Sequence, residues 1–150
     1  MMHDSYAEVI ENDDDFGRFY FVSTGKKGEI KKIIAFTPST VDELYQLGFG
    51  DVIGDDVDDV DDKVVSDNGD RDKVLATIVV VLYRYTERYP NRWVLFQGST
   101  NSRTRLYRMA ITLHHEELSS LFDIYGLLAG DEVIPFQKGA PFTAFLFKKK

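Results

Sequence analysis

With 150 residues, 43% of them apolar and 29% charged, the chain is long enough to bury a core and needs no staple to fold. It has no cysteine, which excludes disulfides, thiolate chemistry and zinc–thiolate sites. The net charge of −7 argues against a general nucleic-acid coat, and it is uneven: residues 51–72 hold ten aspartates against two basic side chains, whereas residues 73–150 carry a net +5.

The start, Met1-Met2-His3-Asp4, lacks the basic and apolar regions of a signal peptide, and the longest apolar run, Val74 to Tyr83, is too short for a bilayer. The expectation is a cytoplasmic protein without membrane partners. Phe16 to Thr24 is aromatic and β-branched and reads as a strand; Gly25-Lys26-Lys27-Gly28 makes a hairpin turn to a partner strand, Glu29 to Thr37. Thr40 to Tyr45 offers a short helix with Thr40 and Glu43 as a capping box. Residues 51–70 are acidic and poor in large apolar groups, which predicts a flexible loop within a single domain of residues 1–150.

Residues 70–89 combine β-branched content with helical spacing of Leu75, Ile78, Val79, Leu82 and Tyr85. Asp70 and Asp72 suit a helix start and Arg84 and Arg88 its end, so a buried helix is expected, stopped by Pro90. Arg92 to Gln97 reads as a central strand. Ser102 to about Tyr125 carries an apolar stripe and reads as one helix, with Gly126 as its C′ residue. Glu132–Gln137 and Phe142–Phe147 read as final strands. The expected fold is α+β: an about five-stranded, mainly antiparallel sheet in the order β-β-α-β-α-β-β, with two helices on one face.

The sharpest feature follows the Arg92–Gln97 strand: Gly98-Ser99-Thr100-Asn101-Ser102-Arg103-Thr104-Arg105-Leu106-Tyr107-Arg108. A helix beginning here presents unsatisfied amides and the positive end of its dipole, and Gly98 permits close approach to the backbone. Cations in a first turn are unfavourable, yet Arg103, Arg105 and Arg108 precede any acid until Glu116, as though an anion belonged there. Arg103 and Tyr107 share one helix face, Arg105 and Arg108 another. The candidate anion site is therefore Gly98, Ser99, Thr100, Arg103, Arg105, Tyr107 and Arg108. Alternatively, Ser99, Thr100 or Ser102 is simply the N-cap and the arginines pair with the acidic segment. The pattern is neither a P-loop nor a dinucleotide fingerprint.

The segments Phe21-Val-Ser-Thr-Gly-Lys-Lys-Gly-Glu-Ile-Lys-Lys and Phe96-Gln-Gly-Ser-Thr-Asn-Ser-Arg-Thr-Arg-Leu-Tyr-Arg resemble an uncharacterised bacterial family of small proteins, a domain of unknown function. The likeness spans most of the chain and implies no activity.

Other clusters carry less. The run Asp55 to Asp62 has oxygen ligands but no EF-hand register. His114-His115-Glu116-Glu117 lacks the His-Glu-x-x-His spacing, and Ser99 lacks a nucleophile elbow. Lys26, Lys27, Lys31 and Lys32 read as edge lysines that block sheet-to-sheet pairing. No metal or cofactor is expected. The readings are a binding module for a phosphate-bearing small molecule or RNA end, a homodimeric interaction protein whose arginines and acidic loop serve assembly, and a small toxin-like ribonuclease. Whether the chain is an enzyme stays open.

Overall fold

The structure, a computed structural model, describes residues 2–11, 17–52, 60–61 and 68–150. These fall into two compact units, Met1–Thr37 with Gly48–Tyr85, and Pro38–Leu47 with Thr86–Lys150. The fold is α+β with three α-helices and nine strands among the described residues, more than the five strands and two helices expected.

In the first unit, β1 (Ile10–Glu11), β2 (Arg18–Gly25) and β3 (Gly28–Pro38) pair antiparallel in chain order, and β4 (Leu44–Val52) follows β3. The β2–β3 hairpin turns where expected. Gly28 takes φ 85°, and a Cβ on Gly25 would sit 2.0 Å from the Asn68 carbonyl oxygen, so glycine is required at both ends of the turn. Asn68 is fully buried and holds this turn: its side-chain amide donates to the Ser23 and Gly28 carbonyls and its Oδ1 accepts from the Lys27 amide. Helix α1 (Arg71–Arg88) confirms the helical reading of residues 70–89, with Asp72 in its first turn and Arg88 in its last. Ile78, Val79, Leu82 and Tyr85 are buried and Leu75 is half-buried. Tyr85 stacks on Phe36 at 3.7 Å between centroids, a pair worth about 0.5–1.5 kcal/mol beyond its area. Burial on this scale outweighs the small helix-propensity penalty of the β-branched residues.

Lys32 is not an edge lysine. It points inward from β3, 1% exposed, and pairs with Asp51 of β4. At the ends of the acidic span, Asp51 and Val52 pair with Asp61 and Val60 of β5 (Val60–Asp61), and Asn68 packs under the hairpin. The flexible loop expected at 51–70 otherwise falls on residues 53–59 and 62–67, outside the described residues.

In the second unit, the first residues of β4 pair in parallel with β6 (Trp93–Phe96), from Leu44 beside Trp93 to Leu47 beside Phe96. Then come β9 (Ala144–Lys149), β7 (Phe122–Leu127) and β8 (Val133–Pro135), all antiparallel. The sheet is mixed, with antiparallel pairs in the majority. The helix expected at Thr40–Tyr45 is absent. Glu43 sits at φ 60°, incompatible with a right-handed helix, and its carbonyl accepts from the Trp93 amide at 2.7 Å. A helix of so few residues has no stability of its own, whereas a strand here gains a parallel partner.

The single helix expected over 102–125 is α2 (Asn101–Leu113) and α3 (His115–Leu121), broken at His114, and Phe122 then turns extended into β7. Phe122, Ile124 and Gly126 are buried alternately along β7. Gly126 is therefore a strand residue, not a C′ cap. A Cβ there would meet the Phe142 ring at 2.2 Å, so its missing side chain makes room for that ring.

Candidate functional site

The helix start is built largely by its own residues. Thr100 is the N-cap: its backbone is extended and its Oγ1 accepts from the Arg103 amide at 3.2 Å. The buried Thr104 hydroxyl accepts from the Gly98 amide at 3.2 Å and donates to the Thr100 carbonyl. A Cβ on Gly98 would lie 2.5 Å from the Thr104 nitrogen, so the close approach that Gly98 permits is that of the first turn of α2.

The predicted residues divide between two sides of α2. On one side the Arg103 guanidinium donates to Ser99 Oγ. Tyr107 is buried against Phe96, with centroids 4.4 Å apart. Burial raises the Tyr107 phenol above its ordinary pKa, and the positive charge of Arg103 pulls the other way.

On the other side Arg105 and Arg108 line a cleft of about 320 Å³ together with Gln97, Asn101, Ser102, Thr104, Phe142 and Thr143. The paired placement of Arg105 and Arg108 follows from their i, i+3 spacing. Asn101 and Ser102 open α2, so their amides have no acceptor within the helix. The lining contains no carboxylate and no imidazole, and among the described residues neither Arg105 nor Arg108 has an ion-pair partner. Gly98, Ser99, Thr100, Arg103 and Tyr107 do not line this cleft. Sequence reading missed Phe142 and Thr143: they come from the loop before β9, some forty residues on, and no local pattern ties them to α2.

A family model described as "Family of unknown function (DUF6934)" matches residues 2–150. The chain belongs to this family. No curated protein and no solved structure matches it.

The remaining clusters stay apart. His115 stacks on Phe136 at 5.4 Å, and no group of three or more His, Asp or Glu among the described residues is placed to hold a metal. The aspartate run of residues 55–62 lies almost entirely outside the described residues. No helix among the described residues is long and apolar enough to cross a membrane.

Proposed function

We propose that this chain is a cytoplasmic binding module that takes a phosphate-bearing ligand, a mononucleotide or an RNA end, in the cleft beside α2. One observation carries the reading: Arg105 and Arg108 flank a cleft whose lining holds no acid, and neither has an ion-pair partner among the described residues. Arginine presents a planar fork of donors suited to phosphate oxygens, and two of them lining one small cleft match a dianion in charge. The Asn101 and Ser102 amides add donors at the positive end of the helix dipole. A volume of about 320 Å³ suits a small molecule. With no carboxylate or imidazole in the lining, the cleft supports binding better than proton transfer, which sets the ribonuclease reading behind it.

The test is a thermal-shift titration with inorganic phosphate, a mononucleotide and a short 5′-phosphorylated RNA. A ligand that binds only the native state stabilises it by about 2.7 kcal/mol at a hundred times its Kd. Arg105→Ala with Arg108→Ala is expected to abolish the shift while leaving the unliganded protein about as stable. Arg103→Ala is expected to retain the shift, because that side chain faces Ser99. No shift with any of the three ligands, or a shift that survives the double substitution, removes the cleft as the site.

A further inference from the structure

The strands of the second unit have two unlike faces. On one, Phe96, Ile124, Phe145 and Phe147 are buried, and Tyr107 of α2 packs against Phe96. On the other, Trp93, Leu95, Tyr125 and Leu146 are half-buried, each alternating with a buried neighbour along its strand. They form one patch: Leu146 is the register partner of both Leu95 and Tyr125, and the Trp93 and Tyr125 rings meet edge to face at 5.5 Å. The open face of an antiparallel sheet is ordinarily polar. An apolar and aromatic patch there marks a surface that is covered in use.

The charges on this face indicate what covers it. Lys148 and Asp123 lie directly opposite each other across β9 and β7. They make no ion pair: the Lys148 ammonium lies over the Trp93 ring, 5.2 Å from its centroid, and the Asp123 carboxylate is exposed without a cation among the described residues. One positive and one negative charge side by side give a face of zero net charge that is complementary to itself. A nucleic-acid strand needs a positive surface, and Asp123 opposes it. A second copy of the same face needs one charge of each sign.

We propose that the chain forms a two-fold dimer through this face. The sheets pack face to face, the Trp93, Leu95, Tyr125 and Leu146 patches meet across the axis, and Lys148 of each copy pairs with Asp123 of the other. Face-to-face sheets pack about 10 Å apart, within reach of both side chains.

Trp93 is the only tryptophan in the chain, so its emission reports on this face directly. Sedimentation equilibrium of the full chain is expected to give twice the 17.2 kDa chain mass, with a concentration-dependent blue shift of Trp93 emission over the same range. Asp123→Lys and Lys148→Asp, each alone, place like charges across the axis and are expected to weaken the dimer about tenfold or more. An equimolar mixture of the two variants brings opposite charges together at both positions and is expected to recover the dimer as a heterodimer. Recovery on mixing excludes misfolding of the single variants as the cause. Leu146→Glu is expected to give a monomer that retains the wild-type circular dichroism spectrum. A wild-type monomer at all concentrations, a dimer indifferent to all three substitutions, no recovery on mixing, or quenching of Trp93 by a short RNA in place of self-association would each overturn the proposal.

Discussion

Lys32 and Asp51 make the first unit sensitive to one substitution. Lys32 is 1% exposed and Asp51 6%, so water screens neither charge and each helps to compensate the other. An exposed pair is worth about 0–1 kcal/mol. Removing one partner of a buried pair costs about 3–5 kcal/mol, because the remaining charge stays buried. Lys32→Met keeps the length of the side chain, deletes the charge and is expected to cost that amount. That is a large share of a typical stability of about 5–15 kcal/mol. For a chain of this size each kcal/mol shifts the melting temperature by about 2–4 °C, so a fall of roughly 6–20 °C is expected. The double variant Lys32→Met with Asp51→Leu removes both charges and is expected to recover most of the loss. Urea unfolding followed by circular dichroism, on wild type, both single variants and the double, completes the cycle. If Lys32→Met costs less than about 1 kcal/mol, or if the double variant loses the sum of the two single losses, the pair is not the coupled buried unit described here.

Two further perturbations address other parts of the fold. Asn68→Ala removes the side-chain amide that serves Ser23, Gly28 and Lys27 at the base of the β2–β3 hairpin. Leaving the buried Ser23 carbonyl and the partly buried Gly28 and Lys27 groups without this partner is expected to cost about 1–3 kcal/mol by urea melt, with faster amide exchange at Lys27. Tyr107 gives a pH signature. Its folded pKa lies above the unfolded value, chiefly through burial, so above the ordinary tyrosine pKa the native state holds a proton that the unfolded state releases. Its contribution is fully present below about pH 10 and is lost as pH rises through the folded pKa. Stability measured from pH 8 to 11 is expected to fall less steeply in Tyr107→Phe than in wild type; equal slopes would show that this phenol does not couple to folding.

Elements whose stabilisation is local were legible in the chain. Glycines at both ends of a four-residue turn placed the β2–β3 hairpin. Acids before residue 73, arginines at 84 and 88 and apolar spacing between them placed α1. Gly98 and the hydroxyls after it placed the start of α2, and i, i+3 spacing put Arg105 and Arg108 on one face.

Tertiary structure decided the rest wherever two local readings were open. Leu44–Leu47 is a strand because β6, almost fifty residues later, lies ready to pair with it. Phe122–Leu127 has apolar residues that fit either period, and β9 claimed them for the sheet. Gly126 became a strand residue because the Phe142 ring occupies the space beside it. Lys32 turned inward because β4 sets Asp51 opposite it, and the cleft beside α2 was completed by Phe142 and Thr143 from the loop before β9. A helix closes its hydrogen bonds within four residues, so its signals lie side by side in the sequence. A strand or a cleft takes its partners from distant segments, and the energy that selects it exists only once those segments have met.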